Sequence, residues 1–400
     1  MLPFFPTPYP EELWHSVLCR YHLRTGNKKT STTMKELFGK ANASMNIFFA
    51  NPGFYGVIDT LPNGLFDREE LYDRHTLTPY VLRFSHDLRR TKTHQHIVWG
   101  AEEKEYTGSL KQWTSQDGGY LRFCPICAKC DLQTYGETYW HTPHQIQAMP
   151  LCPIHKCRLE RADGAEMRTL RQKFYPASSI PNLKTTADCN VSEQEVKLSD
   201  MLYAFWNTPL VNDITSLPDS LFHLLQNKGY FSFGGYQVEW KPLLKELESY
   251  WGKTFHQLID PNTFGINLYH ITCTGRYCRP ELYGLLAVFL NLSPEQMLNP
   301  MTIPDEIKSR MERLCKERER WDKGKAAEAL GIPTRFLEIV VRQRNMKPFW
   351  NHQQQKLPVR IYLEKGDKER AKQRMDKLRM GSLGEYVSYC MRREWGSSKG

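Results

Sequence analysis

The hydrophobic positions of this chain recur mostly with helical spacing, in short segments separated by glycine and proline. Residues 11–25 read EELWHSVLCRYHLRT, and Leu13, Val17 and Tyr21 share one helical stripe. Residues 31–39 predict a second helix, with Ser and Thr near its start and a glycine at its end. Two short helices joined by a loop are compatible with a helix-turn-helix.

The same periodicity predicts further helices, and the segments between them predict loops. The predicted helices are 68–73, 79–90, 195–206, 221–229, 241–251 and 280–291. Residues 42–64, rich in Asn, Gly and Pro, predict loops, and the polar segment 161–194 predicts a linker. The stretch GYFSFGGYQVEW predicts either a hairpin or a loop. The fold class expected is therefore mainly α and multidomain.

The last quarter contains a pattern typical of a helix-turn-helix, KAAEALGIPTRFLEIVVRQRN at 325–345. Small alanines allow close helix contact, and Gly331 can adopt the turn conformation that other residues resist. A second helix from Thr334 would turn its polar side chains toward DNA, where arginine can bind guanine or phosphate. The predicted DNA contacts are Thr334, Arg335, Glu338, Arg342 and Arg344. The alternative is an ordinary helical hairpin with charged faces.

Residues 357–396 follow a different pattern, a strand with period two and then two helices. Strand, helix and helix in this length resemble ribbon-helix-helix modules, in which paired strands from two chains enter the major groove. That arrangement places Arg360, Tyr362 and Glu364 on the base-reading face. Ser382 can cap the last helix, whose first amides would meet phosphate. The alternative is a basic tail with two helices packed on the preceding domain.

Charge strengthens the DNA interpretation of this C-terminal region. The 400 residues carry a net charge of +10. Residues 301–400 contain 24 Lys and Arg against 14 Asp and Glu, so the first 300 residues are neutral overall. Such asymmetry favours a polyanionic partner, most often nucleic acid, although a solvated basic tail is the alternative. No apolar run reaches membrane-spanning length, and eleven cysteines without a disulfide framework indicate a reducing cytoplasm.

Two knuckles with metal-ligand spacing form the most specific motif, Cys124-Pro-Ile-Cys127 and Cys152-Pro-Ile-His155. Thiolate and imidazole together suit zinc, and four protein ligands leave no open position for a substrate. The motif therefore predicts a structural zinc site. Tyr135, Tyr139 and Trp140 are predicted to form the small core of this module, whereas His144 and Cys130 are spare ligand types outside the knuckles. Cys273 and Cys278 have no partner pair and predict buried thiols.

The first 160 residues resemble the TniQ/TnsD family of transposon target-selection proteins. The opening FPTPYPEELWHSVLCRYHLRTG, the segment HTLTPYVLRF at 75–84 and the whole knuckle-bearing segment carry the resemblance, which extends more loosely over 195–300. The matching positions of the opening are Pro8, Tyr9, Glu12, Leu13, Ser16, Arg20, Tyr21 and His22. The family's metal-ligand positions fall on Cys124, Cys127, Cys152 and His155.

The resemblance implies a division into domains and a set of partners. The expected segments are a TniQ helical domain with a helix-turn-helix at 1–120, a zinc-finger module at 121–160, a linker at 161–194, a TnsD-like helical domain at 195–300, a helix-turn-helix at 301–350 and a ribbon-helix-helix-like module at 357–396. The implied partners are double-stranded DNA, an AAA+ ATPase regulator (TnsC-like) and, indirectly, the transposase. A cytoplasmic, nucleoid-associated location without a membrane is expected.

The implied function is sequence-specific recognition of an attachment site. One alternative is an adaptor placed by an RNA-guided CRISPR complex, and another is a zinc-dependent DNA-processing enzyme. The sequence contains no carboxylate cluster typical of a nuclease and no GxxxxGK[ST] phosphate loop. Cys19 and His22 share a helical side and are predicted to be packing residues. We therefore expect a binding protein and not an enzyme.

Overall fold

The computed structural model divides the chain into two compact units, residues 1–349 and 350–400. It describes residues 2, 4–43, 45–50, 52–62, 64–85, 87–101, 119–166, 173–209, 240–252, 260–274, 278–298, 322–330 and 366–378, together with residues 221, 224, 225, 228–230, 255, 309, 310, 313, 337 and 386. Helices dominate the described residues, which confirms the expected mainly α fold class.

Six helices form the N-terminal part. They are α1 (Trp14–Thr25), α2 (Thr30–Phe38), α3 (Pro52–Ile58), α4 (Arg68–His75), α5 (Thr78–Leu82) and α6 (Asp87–Trp99). Gly26 ends α1 in the left-handed conformation at φ 69°, which glycine adopts without strain. Asp67 caps α4 by accepting hydrogen bonds from the amides of Glu69 and Glu70. The buried faces of α1, α2, α3, α4 and α6 meet in one core around Val17, Tyr21, Met34, Phe54, Leu71 and Ile97. Tyr80 and Val81 of α5 belong instead to the larger core of the first unit.

Two antiparallel strands and a helix follow. Strand β1 (Tyr120–Phe123) pairs with β2 (Glu160–Glu166), and α7 (Pro125–Tyr135) lies between them in sequence. The 3-10 turns Pro143–Gln145 and Ala177–Ser179 complete this part.

The later helices of the first unit share a larger core with this strand pair. They are α8 (Glu193–Asn207), α9 (Trp240–Trp251), α10 (Pro261–Tyr269), a π-helical turn (His270–Thr274), α11 (Pro280–Phe289) and α12 (Pro294–Leu298). Helix α13 (Lys323–Leu330) follows them in sequence. Ser192 and Glu195 form a capping box at the start of α8. Helix α11 packs on α8 so closely that a Cβ on Gly284 would lie 2.7 Å from Leu202 Cδ2. The core contains Leu121, Trp140, Leu202, Phe205 and Leu285.

Most predicted helices are confirmed within one to three residues, but two expectations are wrong. Residues 42–64, expected to be loops, contain α3, because Phe54 and Val57 bury one face despite the nearby glycines. The predicted helix 79–90 is two helices, since the chain turns between α5 and α6. The pattern also misses α7, α10 and α12.

The segment 161–194 is ordered against the core within its described residues. It contributes the greater part of β2, and Ala177 and Ile180 are buried. Polar composition alone does not reveal these few buried side chains. The domain boundaries drawn from the sequence stay predictions.

In the second unit the described residues form α14 (Asp367–Lys377), where a helix is predicted, with Ala371 buried. The hairpin or loop at 229–240 lies almost wholly outside the described residues.

Candidate metal centre

The antiparallel pairing of β1 and β2 brings the two predicted knuckles together. Cys124 follows β1 directly, and β2 begins at Glu160, shortly after His155. Phe123 pairs with Glu160 across the two strands. Because this pairing joins the end of β1 to the start of β2, the two knuckles lie side by side.

Each knuckle folds around its first sulfur. The Cys127 amide donates a hydrogen bond to Cys124 Sγ at 3.4 Å, and the His155 amide donates one to Cys152 Sγ at the same distance. Lys156 then adopts the left-handed conformation at φ 51°, which turns the chain back toward the site. The two turns therefore have the same local design.

The four predicted ligands converge with nearly tetrahedral spacing. Their ligand atoms all lie within 4.8 Å of one another. His155 Nδ1 lies 3.5 Å from Cys124 Sγ, 3.2 Å from Cys127 Sγ and 3.6 Å from Cys152 Sγ. The sulfurs of Cys127 and Cys152 are 3.7 Å apart. A tetrahedral zinc ion requires about 3.8 Å between two sulfurs and about 3.5 Å between sulfur and nitrogen. The arrangement fits such an ion.

The burial of the four side chains and the lowered pKa of one thiol also suit a metal site. The three cysteines are buried and His155 is half-buried. A hydrogen bond from Cys127 lowers the pKa of the Cys124 thiol to about 3, and the same contact raises the pKa of Cys127. Thiolate is the metal-binding form of cysteine. These residues can hold a metal ion such as zinc, and a four-ligand set leaves no open position for a substrate.

Cys157 also approaches the cluster, although the knuckle spacing does not indicate it. Its sulfur is fully buried and lies 3.3 Å from Cys124 Sγ. The one available signal in the sequence is a third ligand-type residue within CPIHKC. Cys157 falls outside the group of four mutually close ligand atoms, so it borders the site.

Of the two spare ligand types, His144 borders the cluster and Cys130 does not. His144 Nε2 lies 3.8 Å from Cys127 Sγ, whereas Cys130 is exposed and outside the cluster. Burial lowers the pKa of His144 to about 4, so a neutral imidazole faces the sulfurs. The His144 ring packs against His141, whose Nε2 lies 3.0 Å from Asp131 Oδ2. Polar groups in such positions orient metal ligands.

The segment between the knuckles holds the start of α1. The Leu13 amide donates to the Trp140 carbonyl at 2.7 Å, and the Thr142 amide donates to the Glu11 carbonyl at 2.8 Å. In the other direction the Trp140 amide donates to Ser16 Oγ at 3.2 Å. These bonds join the N-terminal motif to the metal-bearing segment.

A largely buried ion pair lies at the same junction. Arg20 Nη1 lies 2.7 Å from Glu12 Oε2, and Arg20 Nε lies 2.9 Å from Glu137 Oε1. The Arg20 guanidinium stacks 3.7 Å from the centre of the Tyr9 ring, whose hydroxyl donates to Glu137 at 2.8 Å. Tyr9, Glu12 and Arg20 of the N-terminal motif therefore form one contact network with Glu137.

The expected aromatic core of the module is only partly correct. Trp140 is fully buried and Tyr139 nearly so, and the Tyr139 hydroxyl donates to the Pro10 carbonyl. Tyr135 is 38% exposed and packs on the Tyr9 ring at 4.3 Å. Since α7 turns Tyr135 outward, the core of this region is completed by the N-terminal segment.

The predicted DNA contacts lie outside the described residues: Thr334, Arg335, Glu338, Arg342, Arg344, Arg360, Tyr362 and Ser382. They stay predictions.

Cys278 is buried as expected, and the side chain of Cys273 lies outside the described residues. Among the described residues, Cys19 and His15 are packing residues in contact at 3.4 Å. In the part of the chain that the structure describes, no helix has the length and hydropathy needed to cross a bilayer.

Comparison with known proteins finds similarity in the N-terminal part of the chain, which contains the metal cluster. A family model described as TniQ matches residues 3–159, which include all four ligands and the whole N-terminal motif. Over 155 residues the chain is 27% identical to the transposon Tn7 transposition protein TnsD of Escherichia coli. That alignment covers 38% of this chain and 30% of the relative, so the chain matches less than a third of that protein's length. Residues 3–159 therefore form a TniQ-family domain, and this part of the chain is similar to TnsD.

Proposed function

We propose that this chain selects target sites for a DNA transposon by binding an attachment site itself. The observation that carries the proposal is the TniQ domain at residues 3–159, which is similar to a transposition protein. In this role the protein binds and recruits other components, and it catalyses no reaction of its own.

The metal centre supports a binding role over an enzymatic one. The cluster of Cys124, Cys127, Cys152 and His155 has the spacing of a four-coordinate zinc site with no position left for substrate. We propose that it binds zinc and that the zinc is structural. It would fix the segment around Trp140 that holds the start of α1.

DNA binding is assigned mainly to the C-terminal region. The whole +10 net charge lies in residues 301–400. We propose that the segments 325–345 and 357–396 supply base and phosphate contacts, and that this DNA binding places the protein on the nucleoid. The TniQ domain would then face the AAA+ ATPase regulator, which engages the transposase.

Footprinting on DNA flanking the insertion point of the transposon tests this proposal. We expect the purified, metal-loaded chain to protect one region of the duplex without cutting it. Binding only in the presence of an RNA-guided complex would favour the adaptor alternative. Metal-dependent cleavage of the duplex would instead favour a DNA-processing enzyme.

Binding is expected to fall steeply with salt, because each neutralised phosphate releases a counterion. The slope of log K against log salt should be about −0.9 for each phosphate contacted. Titrations of the cognate duplex at several salt concentrations measure it. A slope near zero would contradict a phosphate-based interface.

A further inference from the structure

A basic surface lies at the turn between α1 and α2, in the part of the chain whose overall charge is neutral. The lysine patch comprises Lys28, Lys29, Ser31, Thr32 and Lys35, all exposed. From residue 25 to residue 47 the only carboxylate is Glu36. Within the described structure none of the three lysines has an ion-pair or hydrogen-bond partner for its ammonium group.

Side-chain hydrogen bonds hold the turn that carries the lysine patch. Asn27 Nδ2 donates to Glu36 Oε2 at 2.8 Å and to Thr33 Oγ1 at 3.1 Å. His22 Nδ1 lies 2.7 Å from the same Thr33 hydroxyl. The nearby carboxylate is therefore engaged with the turn and pairs with no lysine, and the turn is held by side-chain hydrogen bonds.

Like charges at this spacing repel one another in the free protein. Lys29 and Lys35 are six residues apart, about 9 Å along a helix, which is within the screening length of about 10 Å at 0.1 M salt. A polyanion with closely spaced charges would relieve that repulsion, as duplex DNA does with one charge per about 1.7 Å of its axis.

The chemistry of the exposed face favours phosphate over a protein partner. The exposed residues of α2 are polar or charged, since Met34 and Leu37 are buried and Phe38 is partly buried against the core. Protein interfaces are anchored by buried aromatic and apolar groups. Lysine, serine and threonine are common ligands of DNA phosphates.

We propose that the lysine patch is a second DNA-contacting surface, which binds the phosphate backbone of duplex DNA independently of base sequence. The proposal rests on the DNA-binding function proposed above and extends it to the TniQ domain. In this arrangement the C-terminal region selects the site, and the lysine patch adds affinity on the flanking duplex.

The test compares K28A/K29A/K35A with K184A/K228A/K245A, which removes the same charge from exposed lysines elsewhere in the full chain. For the patch variant we expect the slope of log K against log salt to be about 2.7 lower in magnitude, about 0.9 for each lysine removed. The change should be the same on cognate and on random duplex. The control variant should keep the slope of the unmodified protein.

Lysine reactivity provides an independent readout. In the unmodified chain, Lys28, Lys29 and Lys35 should be protected from acetylation when duplex is bound, and the three control lysines should not. If the unmodified chain binds duplex but the patch variant behaves like the control and the three lysines stay reactive, the lysine patch does not contact DNA. A loss of binding affinity confined to one duplex sequence would also contradict the proposal that the lysine patch binds the phosphate backbone. If the unmodified chain binds no duplex at all, the proposed function fails and this inference with it.

Discussion

At the scale of single residues, the metal centre raises the question of which thiols bind the ion. Cys157 lies 3.3 Å from Cys124, yet it is outside the group of four mutually close ligand atoms. Tetrahedral coordination needs four ligands, so we assign Cys157 to the surroundings of the site.

This assignment predicts different outcomes for two substitutions of buried cysteines. Cys127→Ser should lose bound zinc and unfold the N-terminal region, because structural zinc modules lose their core without metal. Cys157→Ala should keep about one zinc per chain. Metal content of the purified variants measures both. Loss of zinc from C157A with retention by C127S would show that the ligand set is wrong.

A second residue-scale prediction concerns Glu12, whose carboxyl group is fully buried. Burial raises the pKa of Glu12 from its ordinary 4.5 to about 7, and Arg20 offsets only part of this shift. Because the folded-state pKa is raised, the stability that Glu12 contributes is present below pH 4.5 and is lost as pH rises through 7. The loss is on the order of 3 kcal/mol.

The free energy of unfolding of the unmodified chain relative to Glu12→Gln, measured between pH 4.5 and pH 8.5, isolates this titration. As pH rises, the free energy of unfolding of the unmodified chain should fall relative to that of Glu12→Gln. A difference that stays constant across this range would mean that Glu12 does not titrate there.

The ligands could be predicted from the sequence because knuckle spacing is a local property. Cys157 could not, since its approach depends on the left-handed turn at Lys156 and on the pairing of β1 with β2. The ion pair of Arg20 with Glu137 likewise joins positions more than a hundred residues apart. Such contacts follow from the fold and leave no pattern in the local sequence.

At the scale of elements, hydrogen bonds join the start of α1 to the segment that separates the knuckles. Ser16 Oγ accepts the hydrogen bond of the buried Trp140 amide. Ser16→Ala should leave that amide unpaired and lower the free energy of unfolding by about 1–3 kcal/mol. Denaturant unfolding measures this change.

The matched control is Ser178→Ala, since Ser178 is exposed on a 3-10 turn. It should stay within about 0.5 kcal/mol of the unmodified chain. Equal effects of the two substitutions would remove the Ser16 contact from the account of the junction.

Helical periodicity predicts the elements with a clear apolar stripe, such as α1, α8 and α11. It fails at α3, where proline and two glycines suggest a loop but Phe54 and Val57 bury one face. It also fails at α7, which begins at a metal ligand and exposes Leu132 and Tyr135. In both cases tertiary packing outweighs local propensity.

At the scale of the whole molecule, the metal ligands and the net positive charge occupy different parts of the chain. The metal ligands and the N-terminal motif lie in the TniQ domain, whereas the net positive charge lies in the last hundred residues. Under the proposed function, the metal fixes the shape of the domain that would meet protein partners, and the basic C-terminal region would supply most of the DNA affinity. We propose that the metal centre holds the N-terminal motif in place.

Amide hydrogen exchange, measured before and after a chelator removes the metal, tests this claim most directly. In the metal-loaded chain the amides of Leu13, Trp140 and Thr142, which bond across the junction, should exchange slowly. Removing the metal should raise their exchange rates on the order of 100-fold or more, because metal binding in such sites contributes directly to folding. Unchanged protection of these amides after the metal is removed would contradict the account.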